Sequence, residues 1–341
     1  MLSFLFFESL AANIAVGVVA LAVLVLAADV AVNKLVALAE YVGLSTTFMG
    51  MTVVSLATSI PEITAHLTAS VGILRGTMDY QIASAIVLGA NIGSDVVQQT
   101  LIMALVVLTA GTLYFRTYFL WKSLLPMILA AIVCLILGLD GTYSRLDGVI
   151  LFSLFVAYIY YLYWDERKYY VPGNVEDKDK TPEIQNRSDA LRAVLVTLAA
   201  MAVTVGAAQF VLNVIELVVE RTGIGGSLIG VVSLGVASAL PELTTAISGM
   251  RSKAHGISLG TLVGSNITNP LCAIGLGAMV STYWVPRPLL LWDLPWQAAA
   301  GAVLWVFLIF RKGKLGRLGA IYFILLYIFY IVIRVSFFAI D

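Results

Sequence analysis

Charge is scarce in this sequence. Only 12% of its 341 residues are Asp, Glu, Lys or Arg, roughly half the share a soluble domain carries. Hydrophobic residues make up 60%, so most helices lack the polar stripe that water would require. Cysteine is nearly absent. Cys134 and Cys272 sit in apolar runs, with spacing that suits neither metal ligation nor a disulfide framework, and they read as packing residues. Lys plus Arg equals Asp plus Glu at 20 each, which leaves no basic surplus for a nucleic-acid partner. Missing too are a Gly-x-Ser-x-Gly elbow, a His-Glu-x-x-His zinc motif, paired catalytic aspartates and a phosphate-cradling P-loop. Their absence argues against an intramembrane protease and against ATP as the driving force. Neither a cofactor nor an obligate protein partner is indicated. The N-terminus lacks the basic region and small-residue cleavage site of a signal peptide, so the first apolar segment reads as a permanent helix.

Long apolar runs are what the chain does have. A membrane-spanning helix needs roughly 20 such residues. Ten spans are predicted, near 10–38, 44–70, 81–109, 117–138, 147–164, 190–219, 226–250, 257–281, 289–310 and 317–338. The long polar stretch is 165–189, whose mixed charges, Pro172 and Gly173 mark a solvated linker. It divides the chain into halves of five helices, 1–164 and 190–341. An odd number of spans per half sends the second half into the membrane from the opposite side, so any repeat between them is inverted. The expected fold is therefore an all-α polytopic membrane protein of two inverted five-helix repeats. Lys and Arg divide 15 to 5 in favour of the linker side, which makes that side cytoplasmic and places both termini outside. Absence of a targeting signal suggests the plasma membrane of a prokaryote.

The repeat is legible directly. At a spacing of 180 residues, Asn33 meets Asn213, Glu40 meets Glu220, Gly43 meets Gly223 and Gly50 meets Gly230. Ala57-Thr58-Ser59-Ile60-Pro61-Glu62 meets Ala237-Ser238-Ala239-Leu240-Pro241-Glu242. Further on the spacing falls to 171, and Gly93-Ser94-Asp95-Val96-Val97-Gln98 meets Gly264-Ser265-Asn266-Ile267-Thr268-Asn269. Nine extra residues in the first half are expected to lengthen the loop around Gly72 to Tyr80. Inverted repeats with sites at their interface are a transporter architecture.

Glu62 and Glu242 lie mid-span, where a bare carboxylate costs several kcal/mol (about 2.5–3.5 on insertion scales). Each follows a proline, which frees the carbonyl four residues earlier, that of Ala57 or Ala237. Thr58, Ser59 and Ser238 add hydroxyls beside them. Ser94 with Gln98, and Ser265 with Asn269, share a helical face. Carboxylates, carbonyls and hydroxyls together form a hard-oxygen cage suited to Ca²⁺ or Na⁺. The bland alternative makes Pro-Glu a kink and the Gly-Ser pairs a close helix contact. It suits the glycines and the Asn33/Asn213 pair, but leaves two membrane-buried acids unexplained. Glu40 and Glu220 fall at span ends and read as rim residues.

These motifs resemble the two alpha-repeats of the cation/Ca²⁺ exchanger superfamily, closest to its Na⁺/Ca²⁺ exchanger branch, and the ten-helix plan extends the likeness over nearly the whole chain. The Pro-Glu form differs from the Gly-Asn-x-x-Glu form of H⁺/Ca²⁺ exchangers. The resemblance implies a secondary antiporter that exchanges Ca²⁺ for Na⁺ by alternating access. Helices 2, 3, 7 and 8 would enclose the ions, Glu62 and Glu242 would ligate Ca²⁺, and Thr58, Ser94, Ser238 and Ser265 would help hold Na⁺. Helices 1 and 6 would slide as a pair.

The sequence departs from that pattern. One of the positions held here by Gln98 and Asn269 is commonly aspartate in this branch; both are neutral amides in this chain. Asp95 replaces a usual asparagine and is either an ion ligand or a partner for a neighbouring helix. Ser59 is matched by Ala239, which makes the outer sites unequal. His66, one turn beyond Glu62, either shares that acid's proton or packs against another helix. H⁺/Ca²⁺ antiport on the same fold is the alternative function, and an ion channel a more remote one, since paired acids within one protomer are unlike a pore lined by subunit rings.

Overall fold

The computed structural model describes residues 10–42, 46–169, 184, 186–251 and 255–341. The central polar stretch 170–183, together with Gly43, lies outside the described residues, as does the side chain of Glu40. Among the described residues ten helical rods follow one another: α1 Leu10–Val42, α2 46–74, α3 Tyr80–Ala110, α4 Thr117–Leu137, α5 Arg145–Tyr169, α6 Arg187–Thr222, α7 Gly226–Arg251, α8 His255–Val280, α9 Leu289–Phe310 and α10 Arg317–Phe337. Among the described residues, seven of these helices, plus α2 as a bent pair, are long and apolar enough to cross a membrane. Helix α5 runs to Tyr169, so Asp165 belongs to its last turns, where it forms an ion pair with Lys122 of α4.

The inverted repeat extends to irregularities of the backbone. A π-helical turn, one residue wider than an α-turn, occupies Gly50–Val54 in α2 and Gly230–Leu234 in α7. A second pair falls at Gln98–Ile102 in α3 and Asn269–Ile274 in α8, a third at Leu120–Leu124 in α4 and Leu289–Asp293 in α9. Such turns are rare and gather at functional sites. Two short antiparallel ladders also exchange between halves. Strand β1 (Leu113–Tyr114, after α3) pairs with β4 (Lys314–Leu315, before α10), and β2 (Thr142–Tyr143, before α5) pairs with β3 (Tyr283–Trp284, after α8). Each ladder thus joins one half to the other.

Two glycine-lined crossings bring the halves together at the centre. In α2 and α8, a Cβ placed on Gly260 would lie 2.5 Å from the Gly50 carbonyl carbon. In α7 and α3, one on Gly230 would lie 2.4 Å from the Ile86 oxygen. Only glycine permits backbones this close. Helices α3 and α8 are the most enclosed, 78% and 83% buried over their apolar windows, against 17% for α5 and 28% for α10. The core therefore lies where α2, α3, α7 and α8 cross, with α5 and α10 largely turned to lipid. Outside them α1 packs lengthwise on α6. With 33 and 36 residues, these two are about 50 and 54 Å long. Both outrun a hydrocarbon layer of about 30 Å, and so cross at a slant or project beyond it.

The connection between α2 and α3 begins later than the expected loop. Gly72 is a buried helical residue packed beside Met78, and the turn between the helices spans 75–79. Its counterpart in the second half, 252–254, lies outside the described residues, and with it the expected difference in loop length.

Candidate functional site

The prolines act as the sequence suggests. Helix α2 breaks at Ser59 (φ −80°, ψ 5°), and its two parts diverge by 43°. Helix α7 breaks at the matching Ala239 (φ −84°, ψ 0°). Pro61 and Pro241 have no N–H to offer the Ala57 and Ala237 carbonyls, and Glu62 and Glu242 open the helical segment beyond each break. Their side chains are 3% and 0% exposed.

Around these acids the halves interlock. Ser94 of α3 donates to Glu62 Oε1 at 2.9 Å, and Ser238 of α7 also flanks that carboxylate. Glu242 is flanked by Ser265 of α8 and Thr58 of α2, whose hydroxyls lie 3.1 Å apart. One hydroxyl beside each acid thus comes from its own repeat and one from the other. Thr58 and Ser265 approach Glu242 without a bonding geometry that satisfies it: both of its carboxylate oxygens, Glu62 Oε2 and the Ser59 hydroxyl are buried without a hydrogen-bond partner. No described lysine or arginine pairs with either glutamate. Buried acceptors without donors are costly in a protein interior. A cation would supply the missing interaction, and the set is wholly oxygen, the chemistry of Ca²⁺ and Na⁺.

A layer of amides lies next to this cage. Gln98 Nε2 donates to Ser94 Oγ at 2.9 Å, as their common helical face requires, and Gln98 Oε1 accepts from Asn266 at 3.0 Å. Asp95 is fully buried. Its Oδ1 accepts from Asn269 Nδ2 at 2.8 Å and its Oδ2 from Gln297 Nε2 at 2.6 Å. The α9 residue Gln297 escaped the sequence reading because it lies outside the repeated motifs; a single amide between Trp296 and three alanines was its signal. His66 makes no bond to Glu62. Its Nδ1 lies 3.2 Å from the Tyr283 hydroxyl, which donates to the His66 carbonyl at 2.9 Å, so the packing alternative holds.

A second polar cluster was also missed. Arg334 of α10, counted above among charges at the outer side, is fully buried. Its Nε donates to Asp293 Oδ2 of α9 at 2.9 Å and its Nη2 to Ser227 Oγ of α7 at 2.5 Å, while Tyr330 donates to Asp293 Oδ1 at 2.5 Å. Opposite charges within two neighbouring apolar spans were the available signal. Cys134 and Cys272 are buried free thiols, as expected.

The fold has counterparts among known proteins. The family described as "Sodium/calcium exchanger protein" matches residues 12–164 and 192–336. The inner membrane protein YrbG of Escherichia coli is 27% identical over 265 residues, covering 77% of this chain and 78% of that protein. The sodium/calcium exchanger MaX1 of Methanosarcina acetivorans is 24% identical over 329 residues, covering 87% and 91%. Among solved structures, the sodium-calcium exchanger NCX_Mj soaked with Na⁺ and Sr²⁺ superposes with a TM-score of 0.65 at 22% identity, covering 96% of this chain and 99% of that one.

Proposed function

We propose, from the premise that this chain belongs to the sodium/calcium exchanger family, that it exchanges Ca²⁺ for Na⁺ by alternating access. It is an integral membrane antiporter and not an enzyme. The observation that carries the ionic reading is the pair Glu62 and Glu242, buried at matching helix breaks with three of their four carboxylate oxygens lacking a partner. Two negative charges balance one Ca²⁺ or two Na⁺, so the two cargoes compete for one cage. In this reading Glu62 and Glu242 ligate Ca²⁺. The hydroxyls of Thr58, Ser94, Ser238 and Ser265, with Ser59 and the Ala57 and Ala237 carbonyls, complete the Na⁺ positions. Asn269 adds an amide oxygen. The name of MaX1 supports Na⁺ as the counter-ion.

The α1–α6 pair slides across the cage to open it to one side at a time. The two repeats are the halves to either side of the charged stretch between α5 and α6, which lies in the cytoplasm, with both termini outside. The prokaryotic plasma membrane is the expected location, in keeping with the inner-membrane designation of YrbG. Proton coupling on the same scaffold is the second reading. It is favoured by one feature, the neutral Gln98 and Asn269 where a further carboxylate would add charge for Na⁺.

Reconstituted protein should accumulate ⁴⁵Ca²⁺ against an outward Na⁺ gradient, and Glu62→Gln and Glu242→Gln should each abolish that uptake. Uptake driven by an outward H⁺ gradient alone would select the second reading. Folded protein that accumulates Ca²⁺ under neither gradient would overturn both.

A further inference from the structure

The two repeats differ chemically at one motif position, and the difference reaches the candidate ligands. Asp95 stands in the first repeat where Asn266 stands in the second. Each bonds across the repeat boundary to the amide that ends the other motif: Asp95 to Asn269, and Asn266 to Gln98. These two contacts have opposite polarity. A carboxylate only accepts, so Asp95 takes the NH₂ group of Asn269 and leaves that side chain's oxygen buried and without a partner.

Asn266 is held the other way round. Its Nδ2 also donates to the Leu262 carbonyl at 2.8 Å, and its Oδ1 accepts from Gln99 at 2.8 Å. Thus fixed, Asn266 offers Gln98 a donor, which engages the Gln98 oxygen and leaves the Gln98 NH₂ group to bond Ser94. Asn269 therefore has a free oxygen, and Gln98 has none. The turn that begins at Asn269 packs against Ile60–Leu74, the segment opened by Glu62. Gln297 holds the second Asp95 oxygen, and the titratable groups that interact with that carboxylate through charge are Glu62 and Cys134.

We infer that Asp95 is a positioning residue rather than an ion ligand: it fixes the Asn269 amide so that its oxygen, and not its NH₂ group, is available to the transported cation. The inference rests on the exchange reading above. It makes the two halves of the cage unequal, with an amide oxygen from α8 and none from Gln98 of α3.

Equilibrium ⁴⁵Ca²⁺ binding and uptake by purified full-length protein test it. In Asp95→Asn the new carboxamide can donate as well as accept, so nothing enforces the Asn269 orientation. Ca²⁺ affinity should fall about tenfold or more, as for other groups that orient a ligand, with the maximal rate at saturating Ca²⁺ retained. The exchange Asp95→Asn with Asn269→Asp keeps the charge, reverses the polarity of the hydrogen bond and places an oxygen at position 269 by construction. It should restore affinity. Asn269→Ala should lose it.

If Asp95→Asn alone does not fold, as judged by thermal melting, the exchanged pair against Asn269→Ala decides the matter. Wild-type affinity in a folded Asp95→Asn protein, or an exchanged pair no tighter than Asn269→Ala, would overturn this inference alone. A wild type that binds no Ca²⁺ would overturn the exchange reading and this inference with it.

Discussion

Glu242 has neither carboxylate oxygen bonded, while Glu62 has one held by Ser94, so the two acids are not interchangeable even though their motifs align. Both were legible because a mid-span acid is costly and because each recurs after a proline. Asp293 and Arg334 were not read as a pair, since no repeat marks them and 41 residues separate them. Their bond joins α9 to α10, and the Arg334–Ser227 bond ties both to the start of α7. Arg334→Met would leave a fully desolvated Asp293 unpaired. It should destabilise the protein by about 3–5 kcal/mol, the usual cost of removing one partner from a buried ion pair. Arg334→Met with Asp293→Leu should cost less than the single change, because no buried charge remains. Thermal melting of the detergent-solubilised variants measures both, and a double variant less stable than the single one would show that the pair itself holds the helices together.

At the scale of elements, glycine decides how closely the central helices cross. Gly230 meets the Ile86 carbonyl and the Ala90 amide on α3, so Gly230→Ala must push α7 away from α3. Overpacking of this kind costs about 1–3 kcal/mol, and the shift also moves Ser238 relative to Glu62. Lower thermal stability and weaker Ca²⁺ binding are expected together. Gly206 in α6 is the control: a Cβ there meets nothing within 4 Å. Gly206→Ala should leave exchange unchanged and stabilise α6 by about 0.5–1 kcal/mol. The sequence marked Gly50 and Gly230 as a repeated pair but could not say what each touches. Period and spacing describe one helix at a time, whereas a crossing depends on two. The bend at Ser59 was legible from Pro61 alone; the π-turns were not, because no residue type demands them.

For the whole molecule, the long α1–α6 pair lies outside the four-helix core, and in the proposed mechanism it moves as one body. Gly17 of α1 and Val214 of α6 are suited to a cross-link, with a Cβ on Gly17 lying 3.3 Å from that of Val214, close to the separation a disulfide spans. Gly17→Cys with Val214→Cys, once oxidised, should retain Na⁺-driven Ca²⁺ uptake. Uptake lost on oxidation and regained on reduction would show instead that α1 and α6 move against each other. The sequence by itself determined the membrane setting, the long apolar helices, the inverted repeat and the two buried glutamates, because apolar length and the cost of a buried acid are properties of single segments and the repeat is a match between two of them. Only the tertiary structure decided which hydroxyl faces which carboxylate, that Asp95 holds two amides, that Gln297 belongs to the same network and that Arg334 is buried against Asp293. Those facts depend on contacts between segments remote along the chain, and hydrogen-bond polarity across such a contact is fixed by what stands on both sides of it.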